Sequence, residues 1–303
     1  MGDLISLFAN NLLPVFLAAG AGFVLGKTMR IEAQALSRIA FYIFSPCLVF
    51  DLLTSNKLGG GEILRMTGFA LVQMSVIMGL AWVIGRGLKF DRRLLVAVVL
   101  GAMLPNAGNY GLSVNLFAFG EPGLAYASLY FITSAMVAST VGVYIASLGR
   151  SSAWEAVLGL LRIPTIYAVL LAMVFVQLGW TLPTPLARPV EIFSNAAVPT
   201  MLVLLGLQLG RAEWNGKVLG LVTANGLRLV ISPLIGLGIS ALFGLQGTMR
   251  QAGVLETAMP TAVMATVLAT EFEVEPAFVT AVVFTSTLLS PLTLTPLLAY
   301  LGG

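Results

Sequence analysis

Ten apolar stretches, at 4–26, 33–54, 63–85, 94–119, 123–147, 156–179, 185–209, 216–243, 248–271 and 275–300, follow one another along the chain with only short polar joins. Each exceeds the roughly 20 residues a helix needs to cross the hydrocarbon core of a bilayer. A water-soluble fold is excluded, because 58% of the residues are hydrophobic and 10% charged, against about 25% charged in soluble domains. In lipid the backbone groups of each segment have to be satisfied internally, which here means helices. The spacing therefore predicts an all-α integral membrane protein of ten spans, with no long linker and no extramembrane domain. There is no histidine, and the one cysteine, Cys47, sits in an apolar run. Histidine triads, HExxH metal centres, cysteine-rich zinc sites and internal disulfides are thereby excluded. Basic residues are scattered among loops, so the pI near 9.2 is not a sign of nucleic-acid binding.

The first positive charge, Lys27, follows the first run and does not precede it, so this run reads as a retained span and not as a cleaved leader. With the N-terminus outside, eleven of the 16 Lys and Arg residues fall in inside loops and their flanks. Lys57, Arg65, Arg188 and Arg250 fall outside, and Arg228 lies within a span. The positive-inside bias predicts both termini on the non-cytoplasmic side, and the expected location is a bacterial inner membrane.

The two halves of the chain resemble each other at near-constant offsets. Pro14 and Pro164 lie 150 positions apart, Pro46 and Pro199 153, and Pro105 and Pro260 155. Glu121-Pro122 returns as Glu275-Pro276 after 154 positions, and Ala127 and Thr133 return as Ala281 and Thr287. This spacing predicts a five-plus-five repeat, 1–149 and 156–303. With five spans per half, the second half inserts inverted, which is a transporter signature.

Proline in a span removes a donor and clashes with a preceding carbonyl, and broken backbone is tolerated in lipid only inside protein or beside a water-filled cavity. Span four carries Leu104-Pro105-Asn106-Ala107-Gly108-Asn109-Tyr110-Gly111, and span nine carries Glu256-Thr257-Ala258-Met259-Pro260-Thr261-Ala262. Two interrupted helices at equivalent positions predict a binding site near the midplane. Their half-helix N-termini would present free amides and positive dipole ends to an anion. The blander account is a pair of proline kinks in packed helices.

Glu256 lies four residues before Pro260, with Arg250 at the outer end of its span as the one basic residue there, and a carboxylate at that depth suggests function by default. It is expected to ligate a hard cation with Asn106 or Asn109, or to carry a proton, or else to pair with Arg228. Thr133 and Thr287 either face the broken segments or bond back to their own helices. Asp51 reads as interfacial, and Glu191 with Asn195 as one polar helix face. Gly22 with Gly26 and Gly206 with Gly210 read as close-packing pairs.

Leu36-Ser37-Arg38-Ile39-Ala40-Phe41-Tyr42-Ile43-Phe44-Ser45-Pro46 and Pro105-Asn106-Ala107-Gly108-Asn109-Tyr110-Gly111 resemble the auxin efflux carrier family, whose bacterial members include proteins assigned as malonate or malate permeases. The resemblance covers nearly the whole chain; the long cytoplasmic loop of plant members is replaced here by about 149–155. It implies an NhaA-like fold in which spans 1, 2, 6 and 7 form a scaffold. Spans 3–5 and 8–10 then form a moving transport domain, and broken helices 4 and 9 cross at their prolines beside the substrate anion. On this resemblance Pro105, Asn106, Asn109, Tyr110, Pro260 and Thr261 form or shape the substrate site. The segment Glu256-Thr257-Ala258-Met259 also looks like the ninth-helix segment of the bile acid:sodium symporters, where a glutamate helps to bind sodium. Plant auxin carriers are not regarded as sodium-driven, so the coupling ion stays open between Na+ and H+, with Glu256, Asn109 and Thr133 as its expected site.

The expected function is elevator-like secondary transport of a small organic anion, with no cofactor beyond a bound Na+ and with the bilayer and a scaffold-mediated second copy as partners. A sodium-coupled symporter of bile-acid-like amphipathic anions is the rival within the class, and an anion channel stands outside it. A membrane-embedded enzyme would need a paired nucleophile and base or paired catalytic aspartates, and no GxGD-type motif is present.

Overall fold

A computed structural model describes residues 2–29, 31, 33–56, 58–147, 161, 163–210 and 217–302. The join between the halves at 149–155, the start of the sixth run at 156–160, and Arg30, Lys57, Arg150, Arg162 and Arg211 of the charge pattern lie outside the described residues. Within them the elements are helices α1 (Leu4–Thr28), α2 (Ala33–Ser55), α3 (Gly60–Gly87), α4 (Arg92–Met103), α5 (Ala107–Ala146), α6 (Pro164–Leu178), α7 (Thr184–Leu209), α8 (Val218–Leu242), α9 (Gly247–Thr257), α10 (Val263–Glu271) and α11 (Pro276–Leu301). Seven of these, α1, α2, α3, α5, α7, α8 and α11, are long and apolar enough to cross a membrane. The difference from ten runs has a physical cause. Prolines cut the runs at 94–119 and 248–271 into shorter helices, and the described part of the sixth run is the 15-residue α6.

The 40-residue α5 is a hairpin of two helices. Residues 108 and 131 would lie about 35 Å apart along a straight helix, yet a Cβ on Gly108 would sit 2.7 Å from the Phe131 ring. The reversal falls at Gly120, with φ 65° and ψ −163°. Only glycine adopts that conformation cheaply, and Pro122 then restarts the helix.

Three wide π turns, Phe8–Leu12, Ala40–Phe44 and Leu227–Ile231, each end two residues before a proline, at Pro14, Pro46 and Pro233. A widened turn accommodates the donor that proline lacks and the carbonyl it would strike. Pro46 therefore follows a π turn whereas Pro199 lies inside α7, and Pro164 stands at the start of α6 whereas Pro14 is mid-helix.

Packing sorts the helices into two groups. α7 lies on α1 and α2, and α6 lies on α2. α3, α4, α5, α8, α9, α10 and α11 pack among themselves and meet the first group along α5 and along α11, which lies on α1. At the centre of the larger group every residue of α4 from Leu94 to Met103 is buried, as expected of a helix that is apolar on all sides.

The α1–α7 contact depends on Gly22 and Gly206. A Cβ on Gly206 would run into the Ala19 carbonyl, and one on Gly22 into the Val203 carbonyl. By contrast, the nearest atom to a Cβ on Gly210 is 3.6 Å away. Gly206→Ala is expected to cost about 1–3 kcal/mol through overpacking, read as a lower thermal midpoint in detergent, whereas Gly210→Ala should leave the midpoint in place.

Candidate functional site

The two broken segments lie side by side and antiparallel, with Pro105 opposite Thr261. The Asn106 amide donates to the Pro260 carbonyl (2.7 Å) and the Ala262 amide to the Leu104 carbonyl (2.8 Å). Pro105 and Thr261 thus form the pair that exchanges no bond in an antiparallel ladder, and a proline there costs no hydrogen bond. Thr261 spends its amide on Ser286 Oγ (3.1 Å) and its hydroxyl on the Gly101 carbonyl (2.7 Å). The Gly101 carbonyl, left without its helical donor by Pro105, is thus satisfied by the Thr261 hydroxyl, and the freed Thr261 amide by Ser286 of α11, as a low-dielectric interior demands.

The C-terminal ends of the half-helices α4 and α9 both turn toward α8, where Arg228 is fully buried. Its Nη1 donates to the Ala102 carbonyl (2.9 Å) and its Nη2 to the Thr257 carbonyl and Ser232 Oγ. Ser232 Oγ donates in turn to the Thr257 carbonyl (2.7 Å). One guanidinium therefore serves carbonyls at two helix ends, each the negative pole of a dipole. Gln73 of α3 extends the network, donating to Ser232 Oγ (2.6 Å) and accepting from Tyr130 of α5 (2.9 Å).

The N-terminal ends of the partner half-helices are left open. Asn106, preceding α5, and Ala262, preceding α10, make no side-chain cap, so first-turn amides lack intrahelical acceptors. Both termini border a cavity of about 160 Å³ whose lining includes Pro105, Asn106, Asn109, Ser134 and Gln208 and no acidic or basic side chain. The buried Asn106 Nδ2 has no partner, while Asn109 Nδ2 donates to Gln208 Oε1 of α7 (3.2 Å). Neutral donors and two helix N-termini are groups able to accept an anion.

Glu256 is fully buried near the end of α9. Its Oε1 accepts from Asn115 Nδ2 (2.9 Å), which also donates to the Gly111 carbonyl (2.9 Å). Glu256 Oε2 and Asn115 Oδ1 are buried without partners. Gly111 is required for this approach, since a Cβ there would collide with both carboxylate oxygens. The two orphaned oxygens are the groups able to begin a hard-cation site, which takes oxygen ligands. A proton on Oε2 would satisfy one of them. Among the described residues, no group of three Cys, Asp or Glu side chains is placed to hold a metal.

The ion pair expected as one reading of Glu256 and Arg228 is not formed; the salt bridge found between described residues joins Lys217 to Glu275 (2.7 Å). Pro105, Asn106, Asn109, Pro260 and Thr261 are brought to the crossing, though only the first three line the cavity. Tyr110 points elsewhere: it is fully buried, shares a hydrogen bond with Ser290 (3.0 Å) and packs edge-on against Phe16. Thr133 and Thr287 donate back to Leu129 (2.8 Å) and Val283 (2.7 Å) of their own helices. Asp51, Glu191 and Asn195 border a separate cavity of about 970 Å³. Asn115, Gln208 and the Gln73–Tyr130 pair were not singled out from sequence. Only their polarity within apolar spans marks them there.

A family described as membrane transport protein matches residues 7–156 and 149–298. An uncharacterized transporter of Methanothermobacter thermautotrophicus is 28% identical over 269 residues, 88% of each chain. An uncharacterized transporter of Methanocaldococcus jannaschii is 26% identical over 275 residues, 88% of this chain and 89% of the other. With the family match running through both halves, the chain belongs to the auxin efflux carrier-like family of membrane transport proteins.

Proposed function

We propose that this protein is a secondary active transporter of small organic anions, carboxylates above all, coupled to Na+ or H+ and working by elevator-like alternating access. The observation that carries the reading is the cavity at the crossing. Two uncapped helix N-termini and the unpartnered Asn106 Nδ2 border it, with no charged side chain in the lining. A carboxylate seated there would supply acceptors to amides that have none, and charge-assisted bonds are roughly twice as strong as neutral ones. Glu256, with Asn115, is the proposed coupling site.

Counting α4 with the first part of α5, and α9 with α10, as interrupted crossings and dividing α5 at Gly120 gives ten crossings. On this proposal they form an NhaA-like inverted repeat of 1–149 and 156–303. The scaffold would be α1, α2, α6 and α7, able to pair with a second copy, and the moving domain α3–α5 and α8–α11. The membrane would be the plasma membrane, with both termini on the non-cytoplasmic face. A larger vestibule of about 610 Å³, sharing Ser37, Gln208 and Met264 with the cavity, favours a second reading in which the anion is amphipathic and bile-acid-like.

Uptake of labelled malonate, malate and taurocholate into proteoliposomes tests both readings. Malonate or malate uptake is expected, with Asn106→Leu weakening apparent affinity about 10- to 100-fold, the range for a lost hydrogen bond to a charged group. Taurocholate uptake alone would favour the amphipathic anion, and no anion uptake by folded protein would overturn the proposal.

A further inference from the structure

Resting on the reading of the cavity as the anion site, we propose that Gln208 is a latch between α7 and the moving helices, closed in the empty site and released by the bound anion. Inside the larger helix group the polar side chains bond mostly to one another or to their own helices: Arg228 to Ser232, Gln73 to Tyr130, Asn225 to Thr285. Asn109 instead gives its amide to Gln208 Oε1 across the boundary with α7 (3.2 Å). Around this bond the seam between α5 and α7 is apolar, with Leu112 and Val114 near Met201, Leu202 and Leu205. Gln208 also borders both the cavity and the vestibule, so it stands where an arriving anion passes.

The acceptor that Gln208 offers is neutral. A carboxylate at the N-terminus of α5 is a stronger acceptor for the same donor and takes Asn109 from Gln208. A displacement of α5 along α7 by even one helical turn, 5.4 Å, breaks the Asn109–Gln208 bond. The empty carrier has to break it in order to move, whereas the loaded carrier has already given it up. The consequence is a protein that exchanges one anion for another faster than it returns empty.

The test needs no substrate. With Cys47 replaced by serine, Ser134→Cys places a reporter in the cavity on the moving side, and a membrane-impermeant maleimide is applied to intact cells and to inverted vesicles. Labelling of the parent is expected from the face onto which the vestibule opens. Gln208→Leu and Asn109→Leu should each raise labelling from the opposite face about 2- to 10-fold, the range for one neutral hydrogen bond. Gln208→Glu, whose carboxylate accepts from Asn109 at least as strongly, should bring the ratio back to the parental value or below it. An unchanged ratio in Gln208→Leu overturns the latch, and so does a rise that Gln208→Glu fails to reverse, because the effect would then be one of packing. If labelled carboxylates do not move in the parent, the anion reading fails while the labelling ratio still decides the latch.

Discussion

Arg228→Met is expected to lower the stability of the detergent-solubilised protein by about 3 kcal/mol and to abolish transport by the fraction that remains folded. The side chain donates to carbonyls at the ends of α4 and α9 and to Ser232. Methionine fills similar space but donates nothing. The Ala102 carbonyl loses the partner beyond its helix, and the Thr257 carbonyl keeps only Ser232. Each buried polar group left unsatisfied costs about 1–3 kcal/mol, and two adjacent negative helix ends lose the cation between them. Removing a buried charge also relieves its desolvation, which offsets part of this loss. Transport should suffer more than stability, because Pro105 and Thr261 are held opposite each other by the chain immediately beyond those same helix ends. Arg228→Lys keeps the charge without the planar fork that reaches several acceptors at once, and an intermediate result is expected. Thermal midpoints and proteoliposome flux, measured side by side, check the prediction. A methionine variant with parental midpoint and flux would remove Arg228 from the architecture of the crossing.

What a sequence of this kind makes legible is set by lipid. The apolar runs, the breaks at Pro105 and Pro260 and the oddity of Glu256 all follow from local chemistry, and each corresponds to a feature of the structure. Partners are another matter. An Arg228–Glu256 ion pair is one reading of opposite charges in neighbouring spans, but the guanidinium serves backbone carbonyls and the carboxylate faces Asn115. A carbonyl end is present at every helix, so no residue type advertises that need. Asn115 and Gln208 join Glu256 and Asn109 from positions 141 and 99 residues away, a convergence that helical periodicity does not encode. Thr133 illustrates the reverse case: a hydroxyl in a span satisfies itself on its own helix, so its presence says little about a ligand. The count of long helices differs from the count of apolar runs for the same reason that the site exists, since the prolines that open the crossing also shorten the helices.

Glu256→Gln is expected to abolish cation-coupled uptake, a loss of about 100-fold or more, while leaving the fold near its parental stability. Glutamine is nearly isosteric with glutamate, and its oxygen still accepts from Asn115, so the packing against Gly111 is preserved. What disappears is the negative charge, and with it the reason for a cation to enter a site with two orphaned oxygens. The measurement is thermal unfolding in sodium against potassium or choline, at fixed pH and ionic strength. A ligand that binds only the folded state stabilises it by RT ln(1 + [L]/Kd), about 2.7 kcal/mol at 100 times Kd. A sodium-specific rise in the parent that vanishes in Glu256→Gln identifies Na+ as the coupling ion. A parent indifferent to sodium, whose uptake follows pH until Glu256→Gln removes that dependence, identifies a proton on Oε2. Coupled uptake that survives the substitution would sink the assignment of Glu256. The buried carboxylate would then have to be accounted for by its bond to Asn115 alone, which leaves Oε2 without a partner in the protein interior, where an ionisable group is costly to keep.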